Sequence, residues 1–300
     1  MTKVFAVAVS LLTISLGAVA LSFTTIDVDA SPLTVNGTAA QGINDRGDVV
    51  GFLTVDEDTD SHAYLVRKGV VTFLKAPVSW DVGDSVAPRS INASGDIAGS
   101  YSSPDGGHGF LRDHHDKWTS LDFPGAEGNT GAFGINGHGE IVGVYSTDDW
   151  NSDRSFLYRG GHDGAPGHYL PIDYPGAILT EAYGINDDGD VVGLYAFESD
   201  WIAHGFLLHE GDFTTVDVPG ADGSYARSIN SRGEIVGEFW HADDWASHGF
   251  LLSKGTYTTF DPPGAVATRP RSINDHGEIV GNHNDEGPVT HSFKAVRAHH

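Results

Sequence analysis

The chain has 300 residues, with 41 Asp and Glu against 17 Lys and Arg, which gives a formal net charge of −24. So strong a negative charge repels the phosphate backbone of nucleic acids and anionic lipid surfaces, and it argues against both as partners. Cysteine is absent, which excludes stabilisation by disulfides, and the 39 glycines indicate many tight turns between short strands.

The first twenty residues resemble an export signal. Lys3 precedes an apolar run over residues 4–20, and Ala18, Val19 and Ala20 place small residues where a signal peptidase reads. No later apolar stretch reaches the length of a membrane span. We therefore predict a signal peptide at 1–20 and one mature domain at 21–300. That domain would be secreted or periplasmic, with no membrane span after signal removal.

From residue 23 onward, one unit of ~46 residues is written six times. It reads Ile-Asn-x-x-Gly-Asp/Glu, a β-branched pair with Gly, a polar loop, His-Gly-Phe-Leu, and Thr-Thr-x-Asp-x-Pro-Gly-Ala. The isoleucine that opens each copy is Ile43, Ile91, Ile135, Ile185, Ile229 or Ile273. Each unit carries four strand-like segments, a number typical of a propeller blade. The sequence thus predicts an all-β, six-bladed β-propeller with four antiparallel strands per blade.

The two ends of the array predict how the ring closes. The repeats begin with an outer-strand segment at 23–28 and end with a third-strand segment at 292–296, so the last unit lacks its own outer strand. Pairing the N-terminal strand with the last blade would complete that blade and cover two sheet edges.

The third-strand motif also carries a family resemblance. His-Ala-Tyr-Leu at 62–65 and the His-Gly-Phe-Leu copies that start at 108, 204 and 248 resemble the extracellular HAF-repeat family, named for a His-Ala-Phe motif. The resemblance spans residues 23–296, although two copies read Arg154-Ser155-Phe156 and His291-Ser292-Phe293. It implies export and a repeat architecture, and it implies no particular chemistry.

Five histidines share one position in the repeat, namely His62, His108, His204, His248 and His291, with Arg154 in the sixth copy. On the third strand they would lie roughly 15 Å from the axis, too far apart to converge on one metal ion. We expect each histidine instead to hydrogen-bond the aspartate that recurs on an outer strand, at Asp27, Asp122, Asp173, Asp217 and Asp261, with Leu74 in the remaining copy.

No metal site is predicted. The Asn-x-x-Gly-Asp/Glu segments are too short for a calcium loop and fit turns in which Asn caps its own backbone and Gly adopts a left-handed conformation. The acidic segment 56–60 has alternating carboxylates but no glycine at its sixth position. It is interpreted as a solvated loop, with calcium as the alternative.

Three loops between second and third strands place an acid beside tryptophan: Asp149 and Trp150, Asp200 and Trp201, Asp244 and Trp245. An indole can stack on a sugar face while carboxylates bind its hydroxyl groups. The alternative is that each indole covers its own blade.

The innermost strands carry the residues that would border the axis. Two residues before each opening isoleucine stand Gln41, Arg89, Phe133, Tyr183, Arg227 and Arg271, and four residues before it stand Ala39, Ala87, Gly131, Glu181, Tyr225 and Arg269. One wall of the axial channel would then be bulky and polar and the other open, which predicts a pocket. Its arginines would bind a carboxylate, or alternatively neutralise acids between blades.

Three functions remain open at this stage. The first is a lectin-like protein that binds carbohydrate or a small acidic ligand through the Trp/Asp loops and the axial pocket. The second is a polysaccharide lyase or glycoside hydrolase in which Glu181 and Tyr225 transfer protons while arginines hold a uronate. The third is a protein-interaction scaffold, because a fold does not fix a function.

Overall fold

The computed structural model describes residues 7–10, 20–29, 35–55, 61–77, 80, 86–126, 128–147, 153–160, 167–243, 246–287 and 289–298. This part of the chain is all-β, as predicted, and contains no α-helix. Within the same ranges, no helix has the length and apolar character needed to cross a membrane. Most of the predicted signal peptide, at 1–6 and 11–19, lies outside the described residues, as does the acidic segment 56–60.

Two strands precede the repeats, and the six units follow in chain order. The N-terminal strands are β1 (Val7–Ser10) and β2 (Leu21–Thr25). Units one to three contain β3 (Val35–Ile43), β4 (Val49–Val55), β5 (Ser61–Arg67), β6 (Val70–Phe73), β7 (Val86–Ile91), β8 (Ile97–Ser103), β9 (Gly106–Arg112), β10 (Trp118–Leu121), β11 (Thr130–Ile135), β12 (Ile141–Ser146), β13 (Asp153–Arg159) and β14 (His168–Ile172). Units four to six contain β15 (Leu179–Ile185), β16 (Val191–Ala196), β17 (His204–His209), β18 (Asp212–Thr215), β19 (Gly223–Ile229), β20 (Ile235–Trp240), β21 (His248–Ser253), β22 (Thr256–Phe260), β23 (Ala267–Ile273), β24 (Ile279–Asn284) and β25 (Thr290–Arg297).

Each repeated unit forms an antiparallel sheet in the order of its strands. Units two to five are separate four-stranded sheets. In the last unit, β23, β24 and β25 are followed by β2, which pairs antiparallel with β25 from Leu21 opposite Arg297 to Thr25 opposite Phe293. This sheet joins that of unit one through a single parallel bridge between Thr290 and Gly37, and β1 extends its edge. Within the described residues these sheets are open.

The turn after each opening isoleucine forms as its residues predict. In unit four, the side-chain oxygen of Asn186 accepts hydrogen bonds from the backbone N–H groups of Asp188 and Asp190, at 3.1 and 2.8 Å. Gly189 follows with a φ of +85°, a value that glycine adopts without steric cost. The same geometry recurs in all six copies, and it sets the register between the first and second strands.

The glycine of the second strand and the phenylalanine of the third strand pack as a pair. A Cβ placed on Gly237 would lie 1.9 Å from the carbonyl oxygen of Tyr225 and 2.8 Å from the ring of Phe250. Phe250 is itself fully buried. The repeated Gly and Phe are therefore explained by packing within each sheet, because only a bare backbone leaves room for the ring.

A continuous chain of asparagine hydrogen bonds links the units. The side-chain amide of each opening-turn asparagine donates to the backbone oxygen of the next one, at 3.0–3.3 Å, and the last donates to the first. We call this set the asparagine ring; its members are Asn44, Asn92, Asn136, Asn186, Asn230 and Asn274. All six are buried, so each amide meets the need of a buried polar group for a partner.

The N-terminal segment is held to the last unit by more than strand pairing. The carboxylate of Asp27 accepts hydrogen bonds from the backbone N–H of Ser292 and the hydroxyl of Thr38, at 2.8 and 2.5 Å. Leu21 is buried, and Phe23 packs against Phe293 with ring centroids 6.0 Å apart. Residues from both ends of the chain thus share one core and one polar network.

Four of the five repeated histidines bind the recurrent aspartates, as predicted, and the copy with His62 carries Leu74 at the aspartate position. The Nδ1 atoms of His108, His204, His248 and His291 lie 2.6–2.9 Å from carboxylate oxygens of Asp122, Asp217, Asp261 and Asp27. In unit three, where arginine replaces histidine, the guanidinium of Arg154 lies 3.6 Å from Asp173. These contacts join the third strand to the segment after the outer strand, so the histidine position has a structural role within each sheet.

The carboxylates at the end of the opening turns indicate that the folded protein loses stability in acid. The pKa of Glu234 is lowered from an ordinary 4.5 to about 2, because hydrogen bonds from Arg232, Asn230, Arg297 and Ser253 outweigh its burial, which alone would raise it. The pKa values of Asp96, Glu140 and Glu278 are also lowered. A depressed carboxyl pKa adds stability above the unfolded-state pKa, and this stability is lost as the pH falls towards the folded-state value.

We therefore expect the urea midpoint to fall progressively between pH 5 and pH 2. Replacing Glu234→Gln should lower the midpoint at pH 7 and flatten this pH dependence. A midpoint that stays constant down to pH 2 would contradict the role given to these carboxylates.

Candidate ligand-binding site

The site begins with an irregularity shared by all six inner strands. In β3, β7, β11, β15, β19 and β23 the pairing with the second strand skips one residue, which is a β-bulge. The skipped residues are Gln41, Arg89, Phe133, Tyr183, Arg227 and Arg271. A bulge takes a residue out of the ladder and redirects its side chain, and bulges are common beside functional sites. These positions were predicted from the sequence to border the axis, but the bulge was not predicted. In the structure the bulged residue is followed by two consecutive buried residues, such as Gly184 and Ile185.

These six bulged residues line one cavity of about 80 Å³. The structure therefore brings together residues that are up to 230 positions apart in sequence, as the axial interpretation expects. Arg227 lies between two aromatic rings, 4.3 Å from the centroid of Tyr183 and 4.6 Å from that of Tyr225. Arg89 lies 5.5 Å from the ring centroid of Phe133. Aromatic faces attract these cations and fix their orientation.

A larger pocket of about 520 Å³ adjoins the axial cavity, and Arg89 and Phe133 line both. It lies on the side of units one to three, where the small residues Ala87 and Gly131 leave the predicted open wall. Most of the remaining lining is polar or aromatic: Thr54, Ser61, Ser100, Tyr101, Ser102, Asn129, Thr130, Ser146 and Asp153. We call it the mouth pocket.

The mouth pocket opens on the face that carries the connections between second and third strands. Ser102 and Gly107 flank one such connection, and Ser146 and Asp153 flank another. The asparagine ring lies at the opposite end of the inner strands, because each asparagine follows the strand's last residue.

One acidic residue organises the axial arginines, and the sequence analysis missed it. Glu238 on β20 is 3 % exposed and stands opposite Tyr225. Its Oε1 accepts hydrogen bonds from Nε and Nη2 of Arg227 at 3.0 and 2.6 Å. Arg271 and Arg269 lie 3.8 and 4.0 Å from its carboxylate. The signal was the break in symmetry, because the equivalent residues are Phe52, Ser100, Val144, Leu194 and Asn282.

Positive charge exceeds negative charge around the axis. Burial would raise the pKa of Glu238, but Arg227, Arg271 and Arg269 lower it overall, so this carboxylate is ionised. Burial lowers the pKa of Arg271 to about 10; Glu238 opposes this shift, whereas the neighbouring arginines strengthen it. Burial and the charge of Arg227 also lower the pKa of Arg89. Among the described residues, no carboxylate lies within ion-pair distance of Arg89.

In the described part of the chain no hydrogen bond joins the two proposed proton-transfer residues, although the charge of Glu181 helps to raise the pKa of Tyr225. Glu181 accepts a hydrogen bond from the hydroxyl of Tyr183. Burial raises the pKa of Glu181. Tyr225 instead packs against Trp240, with ring centroids 4.9 Å apart, and its pKa is raised by burial despite the nearby charge of Arg227. A protonated Tyr225 is a poor general base at neutral pH.

Of the predicted Trp/Asp loops, only one lies in the described part of the chain. Trp201 is 54 % exposed and has a φ of +56°, and its backbone N–H donates to the oxygen of Phe197 at 3.0 Å. Packing over its own sheet does not account for an indole this exposed. Asp200 accepts a hydrogen bond from the backbone N–H of Ile202. Neither residue lines the axial cavity or the mouth pocket, and Asp149, Trp150, Asp244 and Trp245 lie outside the described residues.

The chain is similar in fold to solved β-propeller structures. AofleA from Arthrobotrys oligospora superposes with a TM-score of 0.54, 11 % identity, and coverage of 92 % of each chain. The β-propeller domain of the trilobed protease from Pyrococcus furiosus gives a TM-score of 0.53 and 8 % identity over 92 % of this chain and 84 % of that chain.

The Aleuria aurantia lectin, in complex with α-methyl-L-fucoside, gives a TM-score of 0.52 and 10 % identity over 87 % of this chain and 91 % of that chain. The chain matches no protein-family model, and comparison with curated protein sequences gives no match. At these identities the comparisons establish a propeller-like fold and leave the function open.

Proposed function

We propose that this chain is an exported, six-bladed β-propeller of the HAF-repeat type that binds carbohydrate in the mouth pocket. In this proposal the six repeated units are the blades, with β2 as the outer strand of the last one. The asparagine ring supports it, because its hydrogen bonds visit every unit and return to the first. Export rests on the signal-like residues 1–20.

The composition of the mouth pocket is the observation that carries the binding function. Its hydroxyl groups, the amide of Asn129 and the carboxylate of Asp153 offer donors and acceptors for sugar hydroxyls. Tyr101 and Phe133 add aromatic surface on which the apolar face of a sugar can stack. A volume of about 520 Å³ lies in the range of small-molecule sites. The likeness in fold to a fucoside-bound lectin is consistent with this assignment.

Glycan binding can be tested directly on the purified protein. We expect a glycan array to show binding, and Phe133→Ala to weaken the affinity for the bound glycan by about tenfold, equivalent to roughly 1.4 kcal/mol, as measured by calorimetry. Phe73→Ala is the matched control, because Phe73 is an exposed aromatic residue on the outer strand β6. An array without any bound glycan, or equal losses in both variants, would contradict the proposal.

The enzyme alternative is favoured by one observation, the half-buried carboxyl of Glu181 on the inner strand β15, whose pKa is raised by burial. A raised pKa is what a carboxyl needs to act as a general acid on a glycosidic oxygen. If the protein cleaves oligosaccharides, mass spectrometry should detect products that Glu181→Gln abolishes and Glu210→Gln, an exposed control, retains. Binding without products would favour the lectin-like function.

A further inference from the structure

We propose that the guanidinium groups of Arg89 and Arg271 bind the carboxylate of an acidic sugar whose ring occupies the mouth pocket. This inference rests on the proposed carbohydrate-binding function and names the ligand class, a uronate. It also identifies which of the axial arginines are free to bind a ligand.

Positive charge is in excess around the axial cavity. Arg89, Arg227 and Arg271 line it, and Arg269 lies 4.0 Å from the Glu238 carboxylate. Among the described residues, Glu238 is the single carboxylate within 4.0 Å of any of these four arginines. In a chain with a net charge of −24, such a concentration of unneutralised arginine is exceptional. An anionic group entering the cavity would balance it.

Two of the axial arginines have a side-chain donor without a hydrogen-bond partner. Arg227 directs Nε and Nη2 to Glu238 and is held between two aromatic rings, so its fork is already occupied. The Nε groups of Arg89 and Arg271, by contrast, are buried and have no hydrogen-bond partner. A buried donor without a partner costs free energy, and the side chain recovers this cost if it shifts so that a ligand oxygen can accept from it. Arg89 and Arg271 are therefore the two arginines prepared for a ligand.

The axial cavity and the mouth pocket differ in the size of the group that they can hold. The axial cavity of about 80 Å³ has room for a carboxylate but not for the sugar ring that bears it. The ring would remain in the adjoining pocket of about 520 Å³, among hydroxyl groups and aromatic faces. Arg89 and Phe133 line both spaces, so a carboxylate on a short exocyclic bond would meet Arg89 first.

A carboxylate fits this site better than a larger or more highly charged anion. A guanidinium presents a planar fork that matches the two oxygens of a carboxylate. The same cluster already holds one carboxylate, that of Glu238, through Arg227. Polyphosphates and nucleic acids are disfavoured, because the charge of the rest of the chain repels them before they reach the axis.

The experiment measures calorimetric binding of trigalacturonate and of a glucuronate oligosaccharide at fixed ionic strength, with their carboxyl-reduced neutral counterparts, acetate and sulfate as comparison probes. We expect at least one uronate to bind ten times more tightly than its neutral counterpart and than either free anion. Arg89→Gln and Arg271→Gln should each reduce uronate affinity at least tenfold. Arg232→Gln, which removes an arginine at an opening turn, should leave it unchanged.

Two further measurements keep the outcome interpretable. Arg89→Lys retains the charge but loses the fork, so it should fold and still lose affinity for the uronate. Affinity for the neutral counterparts should survive in the Arg271→Gln protein, because Arg271 lines the axial cavity and not the mouth pocket. If neutral glycans bind but uronates gain nothing, this inference fails while the proposed function stands. If acetate or sulfate matches the uronate, the sugar assignment is overturned, and if no probe binds, both proposals fail.

Discussion

Removal of residues 21–29 should lower the melting temperature by on the order of 10 °C, or prevent folding altogether. The deletion takes away β2, which pairs with β25 in the last sheet, together with the buried side chains of Leu21 and Val28. It also removes Asp27, which holds Ser292, Thr38 and His291. Edge strands and buried apolar side chains would both become exposed, and each effect is destabilising.

Thermal unfolding followed by circular dichroism checks this expectation. The reference is the protein that begins at residue 21, which retains β2 and matches the predicted mature domain; loss of 21–29 is measured against it. If loss of 21–29 leaves the melting temperature unchanged, the N-terminal strand does not stabilise the last sheet. The proposed closure of the six units would then lack its main structural basis.

The substitution Glu238→Gln should destabilise the protein by about 3 kcal/mol, because it removes the carboxylate that neutralises a buried arginine cluster. The side-chain amide of the introduced glutamine has nearly the same shape and can still accept a hydrogen bond from Arg227. The loss of stability therefore measures the effect of removing the negative charge. With its carboxylate gone, the repulsion among Arg227, Arg269 and Arg271 would be unopposed at this point. Urea unfolding at pH 7 gives the change in the free energy of unfolding.

Sulfate should restore part of the lost stability in this variant, because an anion at the axis would replace the missing charge. Glu198→Gln, at an exposed position, is the control and should behave like the parent protein. A Glu238→Gln protein as stable as the parent would show that the axial arginines need no counter-charge, and it would weaken the case for an anionic ligand.

Much of the fold could be predicted because the six copies of the repeat carry similar residues at equivalent positions. The Asn and Gly of each opening turn define a backbone conformation with few alternatives, and the glycine of the second strand leaves space for one aromatic ring. The histidine–aspartate pairs were also predictable, since both residues recur at fixed positions in the unit. Repetition makes local rules visible without knowledge of the tertiary structure.

The site was harder to predict because it depends on differences between the units. The position of Arg227 on the inner strand indicated that it borders the axis, but not that Glu238 on the neighbouring strand occupies its fork. The bulge in each inner strand shifts the register by one residue, and this shift determines which side chains of neighbouring strands meet. For the same reason, the partner of Glu181 is Tyr183 on its own strand rather than Tyr225.

The most direct test of the account joins the two ends of the chain. The chain has no cysteine, so Ser22→Cys with Val296→Cys introduces a single pair at positions that lie opposite each other in β2 and β25. Our account predicts that oxidation forms an intramolecular disulfide between them in the monomer, detected by peptide mass spectrometry, while a Ser22→Cys/Thr119→Cys pair stays reduced. Free thiols at positions 22 and 296, or links only between molecules, would contradict the pairing of β2 with β25, on which the proposed closure of the six units rests.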